Sequence, residues 1–262
     1  MKFERELKVC LDLVVSLRED ILKIYNSDDF GVEIKSDNSP VTKADKLVDK
    51  KIREVLSKEF PNFSLLTEES VDDLSRLKND LVFIVDPIDG TKDFLLKNDE
   101  FTVNIGLSYK HKGVMGVIYV PATDETYYAL EGLGAFYKKT SDSKPVQIHV
   151  SERQNSLRVL TSRCHYNEFE KAIIEKYKDR FESEKSVGAS LKGCLIAKGE
   201  AEYHVRKSSN TKEWDTCAMQ VIVEQAGGLL LKFDGKAIMY NREDVYNHDG
   251  YIICNKIENY LL

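Results

Sequence analysis

Two aspartates follow an apolar run in the first half of the chain, separated only by a proline and an isoleucine. Residues 81–85 are apolar and rich in β-branched side chains, which is typical of a strand buried on both faces. The run stops at Asp86, so we predict that this carboxylate lies where a central strand leaves its sheet, a common ligand position in α/β proteins. Asp89 and Gly90 then favour a turn, and Thr91 can begin a short helix.

This arrangement points to chemistry on a phosphate ester. Carboxylates suit a hard cation such as magnesium, and free backbone N–H groups at a helix start suit a phosphate. Aspartyl-phosphate phosphatases also place aspartates after an apolar strand, but with a single residue between them, whereas here Pro87 and Ile88 intervene. A structural Asp-rich turn would account for a lone Asp-Gly pair but hardly for the whole string.

Length and composition exclude several classes of protein. The 262 residues can form one compact unit or two closely packed halves, and 42% hydrophobic with 31% charged residues is ordinary globular composition. The net charge of −6 argues against a nucleic-acid polymer as partner. Five scattered cysteines without a C-x-x-C pair indicate a reduced, cytosolic protein with mostly buried thiols. We expect neither a signal peptide nor a transmembrane segment.

The first sixty residues predict helices that support this site. Apolar side chains at helical spacing over residues 3–25 predict one amphipathic helix. Residues 27–40 are polar and contain chain breakers, so we expect a loop or ribbon. Thr42 is the expected N-cap of a second helix, which places Asp45 in its first turn. An acidic side chain at this position could simply complement the helix dipole, without any role in a site.

Two adjacent glutamates follow the next predicted strand, over residues 63–66. Glu68 and Glu69 at a strand end are most simply a solvated corner. If this strand lies beside the one that ends at Asp86, however, one of them faces the same cation.

The pattern of elements changes near residue 150. Residues 101–137 predict an antiparallel meander, and strands alternate with helices afterwards. We therefore expect an N-terminal α+β subdomain over residues 1–150 and a C-terminal α/β subdomain over 151–262. Four histidines lack ligand spacing and are interpreted as surface residues: His111, His149, His165 and His248.

Basic residues in the C-terminal half could hold an anion. Gly188 allows a tight turn and Ser190 can cap the following helix, in whose first turn Lys192 lies. A cation at that position opposes the helix dipole, which indicates a bound anion nearby. Arg206, at the end of a predicted strand, could add a second positive group. Each could equally be an ordinary surface charge.

A further acidic residue lies beside the only tryptophan of the chain. Asp215 has the features of an N-cap for a well-packed helix that stops at Gly227. The neighbouring Trp214 indicates that this carboxylate is fixed and partly buried, which is more than capping requires.

Taken together, these strings resemble the motifs of the inositol monophosphatase superfamily. The strings are Asp86-Pro87-Ile88-Asp89-Gly90-Thr91, Glu68-Glu69, and Trp214-Asp215-Thr216 with the trailing Ala226-Gly227-Gly228. Within the superfamily the chain most resembles the CysQ subfamily of bacterial 3′(2′),5′-bisphosphate nucleotidases. That closer resemblance rests on Trp214-Asp215-Thr216 again, with Asp45 and residues 37–42, 90–94, 100–105 and 188–192. Asp93 departs from the glutamate common in that subfamily but keeps a carboxylate.

The resemblance implies a layered α+β / α/β fold, the αβαβα sandwich of the sugar phosphatases, with two or three magnesium ions between its subdomains. The implied ligands are Glu68, Asp86 and the Ile88 carbonyl for the first ion, Asp86, Asp89 and Asp215 for the second, and Glu68 with Asp45 through water for a weaker third.

It also implies roles in catalysis and in substrate binding. Thr91, hydrogen-bonded to Asp45, would orient and deprotonate the attacking water, with Glu68 beside them, and no covalent phospho-enzyme is expected. The amides of Gly90 and Thr91 would hold the departing phosphate. The implied nucleotide contacts are Ser190, Lys192, Arg206 and Asp215.

The activity that the resemblance implies is magnesium-dependent hydrolysis of the 3′-phosphate of 3′-phosphoadenosine 5′-phosphate to AMP and phosphate, sensitive to lithium. Its role would be to clear this by-product of sulfate assimilation. An inositol monophosphatase or fructose-1,6-bisphosphatase on the same scaffold stays open, as does a silent phosphate-binding protein. We expect a cytoplasmic monomer or homodimer, with peripheral association with the inner membrane left open.

Overall fold

The computed structural model describes residues 2–35, 39–208 and 210–262. Asp37 and Asn38, part of one string quoted above, lie outside the described residues. The helices are α1 (Glu4–Ser16), α2 (Arg18–Tyr25), α3 (Lys43–Glu59), α4 (Thr91–Leu95), α5 (Glu168–Lys176), α6 (Leu191–Ala197) and α7 (Glu213–Gln225). In these ranges no helix combines the length and the apolar character that crossing a bilayer requires.

The strands form two large sheets and a short ribbon. They are β1 (Glu33–Ile34), β2 (Pro40–Val41), β3 (Ser64–Thr67), β4 (Leu81–Asp89), β5 (Thr102–Tyr109), β6 (Lys112–Val120), β7 (Glu125–Leu130), β8 (Gly134–Lys138), β9 (Val146–Ile148), β10 (Leu157–Ser162), β11 (Phe181–Val187), β12 (Tyr203–Arg206), β13 (Leu229–Lys232) and β14 (Tyr251–Cys254). The seven-stranded sheet has the order β3-β4-β5-β6-β7-β8-β9, and the five-stranded sheet has the order β11-β10-β12-β14-β13. Strands β1 and β2 pair as an antiparallel ribbon.

These elements stack in five layers. One face of the seven-stranded sheet packs on α1, α2 and α3, through side chains such as Val14, Ile52 and Phe83. Its other face packs on α6 and α7, which also cover the inner face of the five-stranded sheet. The outer face of that sheet packs on α5. The predicted αβαβα sandwich is therefore confirmed.

The large sheet ends at Ile148 and the small sheet begins at Leu157. The division near residue 150 into two subdomains agrees with this gap and remains a proposal. All five cysteines are free thiols and four of them are buried, in agreement with the prediction.

The predicted single helix over residues 3–25 is wrong in one respect, because Leu17 separates two helices. The N–H of Leu17 donates a hydrogen bond to the Val14 carbonyl, and the Ser16 hydroxyl donates one to the Leu13 carbonyl at 2.6 Å. Local bonds of this kind compete with the regular helical ladder.

Strand β4 also continues further than the sequence predicts. The ladder with β5 pairs Asp86 with Asn104 and then Asp89 with Thr102, so a bulge holds Pro87 and Ile88 between them. Pro87 is accommodated because a bulged residue needs no ladder hydrogen bond from its nitrogen.

A close contact between strand β6 and helix α7 sets the spacing of the inner layers. A Cβ at Gly116 would lie 2.3 Å from the Ala218 carbonyl oxygen of α7. A side chain here would therefore push the backbone of α7 away from the sheet.

We predict that Gly116→Ala lowers the free energy of unfolding by about 1–3 kcal/mol, because the backbone must shift. The matched control is Gly113→Ala in the same strand, where the nearest atom is a side-chain methyl carbon of Val221 at 2.9 Å rather than the backbone of α7. Urea unfolding measures both changes. Equal costs for the two variants would contradict the close approach.

Candidate active site

A cavity of about 260 Å³ opens where β4 ends and α7 begins. Its wall combines acidic and basic side chains from both halves of the chain. Every residue that the sequence singled out for metal or substrate contacts lines it, except Asp45, which lies directly behind Thr91.

Three of the predicted metal ligands converge at one point. Carboxylate oxygens of Asp86, Asp89 and Asp215 lie within 4.8 Å of one another. The bulge in β4 brings the first two together, and an Oδ1 of Asp86 accepts the Ile88 N–H at 3.1 Å, which fixes its side chain. The first turn of α7 supplies the third.

Burial and mutual repulsion make this cluster unstable as free carboxylates. Burial, with the charges of Glu68 and Asp89, raises the pKa of Asp86 well above its usual range. Burial, followed by the charges of Asp89 and Glu68, raises the pKa of Asp215 to about 8. A hard divalent cation fits such a set of oxygen donors, because it neutralises the charges that otherwise repel each other.

Glu68 lies in the same cavity but outside the three-carboxylate cluster. Strand β3 runs parallel to β4, so the condition set for the glutamates holds and Glu68 follows a strand beside Asp86. Its Oε1 accepts the ammonium of Lys35 at 2.9 Å, and the same ammonium binds Glu69. Sequence reasoning missed Lys35, because one lysine in a polar ribbon gives no signal of its partner.

Asp45 combines the two roles that the sequence left open. Its Oδ2 accepts the N–H of Thr42 at 2.8 Å in a capping box at the start of α3. Its Oδ1 accepts the hydroxyl of Thr91 at 3.2 Å. Burial raises the pKa of Asp45. The side chain is therefore both a helix cap and the hydrogen-bond partner of Thr91.

The prediction that Asp215 is an N-cap is wrong by three positions. Lys212 is the N-cap of α7, and Oδ2 of Asp215 accepts the Lys212 N–H at 2.6 Å. A capping box explains the difference, since it places the acidic residue at the third helical position. Trp214 is buried, and the Asp215 side chain beside it is partly buried, as predicted.

Ser190 precedes α6 but does not cap it with its side chain. Its hydroxyl instead donates to Oδ2 of Asp89 at 2.5 Å, because the helix start faces the acidic cluster. Asn104 of β5 donates to the same oxygen at 3.1 Å, and sequence reasoning assigned it no role. The only signal for Asn104 was its position within one of the quoted strings.

Lys192 and Arg206 are buried, so the ordinary surface charge that the sequence left open does not apply. The Lys192 ammonium donates to the Ala189 carbonyl at 2.6 Å, and burial lowers its pKa. Arg206 donates to Glu170 at 2.9 Å and to the His165 carbonyl at 2.5 Å. Both cations reach the cavity wall, and each is held there by protein oxygens.

His165 is exposed, as predicted, but it also lines the cavity. Partial burial, together with nearby Lys92 and Arg206, lowers its pKa to about 4, so the ring is neutral near pH 7. Lys92, Thr211 and Tyr251 line the cavity as well. The only signal for Lys92 was its position within one of the quoted strings, and nothing in the sequence neighbourhood of the other two separated them from other polar residues.

Comparison with known proteins identifies the family to which the chain belongs. The model of the inositol monophosphatase family matches residues 4–262. The chain is 38% identical over 236 residues to the 3′(2′),5′-bisphosphate nucleotidase CysQ of Buchnera aphidicola, covering 89% of this chain and 86% of the relative. It is 32% identical over 246 residues to the enzyme of the same name from Escherichia coli K12, covering 93% and 97%.

Solved structures show the same fold. The crystal structure of CysQ from Bacteroides thetaiotaomicron superposes with a TM-score of 0.84 at 33% identity, covering 97% of this chain and 99% of the other. The inositol monophosphatase of Thermotoga maritima gives a TM-score of 0.80 at 26% identity, covering 96% and 92%. The predicted resemblance to CysQ proteins is thus confirmed, and the chain belongs to the inositol monophosphatase family.

Proposed function

We propose that this chain is a magnesium-dependent 3′(2′),5′-bisphosphate nucleotidase that hydrolyses 3′-phosphoadenosine 5′-phosphate to AMP and phosphate. The observation that carries the proposal is a cluster of three carboxylates, one buried and two partly buried, that shares one cavity with two buried cations. The similarity of this chain to several CysQ nucleotidases over most of its length supports a bisphosphate nucleotide as substrate.

The acidic residues would hold two or three magnesium ions. Asp86, Asp89 and Asp215 are the central ligands, with Glu68 and the Ile88 carbonyl beside them. Bound magnesium supplies charge stabilisation for the phosphate ester and lowers the pKa of a coordinated water. When the cation binds, Glu68 would coordinate it in place of its present ion pair with Lys35.

Thr91 and Asp45 are placed to accept the proton that the attacking water must lose. The Thr91 hydroxyl donates to Asp45 Oδ1, so its oxygen can accept a hydrogen bond from water in the cavity. The proton can then pass through the hydroxyl to the carboxylate, whose raised pKa makes it a better acceptor.

The buried cations Lys192 and Arg206 in the cavity wall favour a substrate with a second anionic group. Lys192 and Arg206 are fixed by protein oxygens, so they offer positive charge without being free to move. A 5′-phosphate would find this charge in the same cavity as the carboxylates. A sugar monophosphate would make no use of it.

The first experiment measures phosphate release from 3′-phosphoadenosine 5′-phosphate, inositol 1-phosphate and fructose 1,6-bisphosphate with magnesium, with and without lithium. Preference for the nucleotide, lost with lithium, would support the proposal. Preference for a sugar phosphate would overturn the substrate while keeping the metal site. Absence of release from all three would favour a phosphate-binding protein.

Asp89→Asn is predicted to lower kcat at least about 100-fold while the fold is kept, because an amide is a poorer magnesium ligand than a carboxylate. The measurement is nucleotide turnover at saturating magnesium, with thermal unfolding as the check on folding. Asp142→Asn, at an exposed residue outside the cavity, is the charge-matched control. Near-normal turnover of Asp89→Asn would contradict the metal assignment.

Asp215→Asn is predicted to stabilise the metal-free protein increasingly as the pH rises. A folded pKa of about 8, above the unfolded value, means that the wild type loses stability between about pH 4 and pH 8, when this group must ionise inside the fold. The neutral amide escapes this loss, so the stability difference between variant and wild type should widen steadily from about pH 4 to about pH 8. Thermal unfolding in a chelating buffer at several pH values measures it.

A stability difference that does not change with pH would contradict the raised pKa. With magnesium present the order should reverse, since only the wild-type carboxylate gains full stabilisation from the cation.

A further inference from the structure

The carboxylate of Asp89 accepts hydrogen bonds from two side chains that come from different halves of the chain. The Ser190 hydroxyl and the Asn104 amide both donate to its Oδ2, at 2.5 Å and 3.1 Å. Both donors are at least nine-tenths buried, with exposed fractions of 3% and 1%. We call this pair the Asp89 clamp.

The hydrogen-bond inventory of the clamp explains what each atom can do. A serine hydroxyl has one proton, and that of Ser190 points at Asp89, with the Asp215 carbonyl at 3.4 Å as a weaker second acceptor. The Ser190 oxygen in turn accepts the Asn104 amide at 3.0 Å. Ser190 therefore has no free proton with which to bind a substrate.

The orientation of Asn104 follows from its own partner. The Thr102 hydroxyl donates to Oδ1 of Asn104 at 2.8 Å, so the NH₂ group faces Asp89 and Ser190. The two N–H protons of this amide then donate to Asp89 and to the Ser190 oxygen. A single chain of hydrogen bonds leads from Thr102 to Asp89.

The turn that carries Ser190 is held from both sides. The Gly188 N–H donates to the Glu100 carboxylate at 2.7 Å, and that carboxylate is paired with Arg163 through two bonds of 2.7 and 2.8 Å. The Lys192 ammonium holds the carbonyl of Ala189 in the same turn. Ser190 is consequently a rigid donor rather than a side chain that adjusts to its acceptor.

The clamp opposes a specific force. Asp86 and Asp215 lie within 4.8 Å of Asp89, and like charges at that distance repel. The two fixed donors oppose rotation of the Asp89 side chain away from its neighbours whenever those neighbours are ionised. With Oδ2 occupied by two donors, Oδ1 is the oxygen left for a metal.

We propose that Ser190 and Asn104 are positioning residues that hold Asp89 ready for a divalent cation, and that Ser190 does not bind substrate. This rests on the proposed function only for the presence of a divalent ion. It replaces the substrate contact that the sequence resemblance implied for Ser190.

The test is Ser190→Ala, with Ser108→Ala as the matched control. Ser108 lies on β5 like Asn104, its hydroxyl is buried, and it has no hydrogen-bond partner among the described residues. Mn²⁺ binding to the substrate-free protein is followed by electron paramagnetic resonance. Turnover then gives the magnesium concentration for half-maximal rate, and the KM for 3′-phosphoadenosine 5′-phosphate at saturating magnesium.

We expect Ser190→Ala to weaken Mn²⁺ binding and to raise the magnesium requirement about tenfold, with the nucleotide KM unchanged. Asn104→Ala should act in the same direction, and the double variant should lose less than the product of the two effects, because both act through one oxygen. Ser108→Ala should match the wild type.

Wild-type Mn²⁺ affinity in Ser190→Ala would overturn the proposal, as would a raised KM at saturating magnesium. The Mn²⁺ titration contains no substrate, so it decides the clamp even if another phosphate ester is the one cleaved. A wild type that binds no Mn²⁺ would overturn the metal assignment and the clamp together.

Discussion

Repulsion between closely spaced carboxylates is the constraint on which the rest of the site depends. Asp86, Asp89 and Asp215 can stay within 4.8 Å of one another only if the fold fixes each side chain. It does so in one recurrent way, in which one carboxylate oxygen is tied to a donor of the protein. Asp86 accepts a hydrogen bond from the Ile88 N–H, and Asp215 accepts one from the Lys212 N–H. Asp89 accepts hydrogen bonds from the two side chains of its clamp. The remaining oxygen of each can then serve a cation.

Helix capping contributes directly to this arrangement. Asp45 and Asp215 are both the third residue of their helices and both bond back to the N-cap amide. Each capping box stabilises its helix and at the same time sets the direction of the carboxylate. This explains why a residue can be a structural cap and a member of the site at once. The two roles use different oxygens in Asp45, where Thr91 takes the second one.

The cavity exists because the layers of the sandwich meet at a fixed distance. Helix α7 lies between the two sheets and brings Asp215 to the end of β4, and its approach to β6 is as close as Gly116 allows. The basic wall depends on the other sheet, where Arg206 on β12 is held by Glu170 of α5. Changes in layer spacing would therefore move the acidic and basic walls relative to each other.

From the amino-acid sequence alone, local patterns determined the ends of several elements and the proximity of Asp86 to Asp89. These patterns are an apolar run that stops at Asp86, a capping threonine at position 42, and a turn signal after Asp89. The fold class and the place of Asp215 in the acidic cluster followed from the resemblance of separate motifs to a known family, not from any local pattern. The tertiary structure decided the contacts between residues far apart along the chain. Ser190 serves Asp89 rather than its own helix, and Lys35 pairs with Glu68, because the partners of a polar side chain depend on which elements the fold brings beside it.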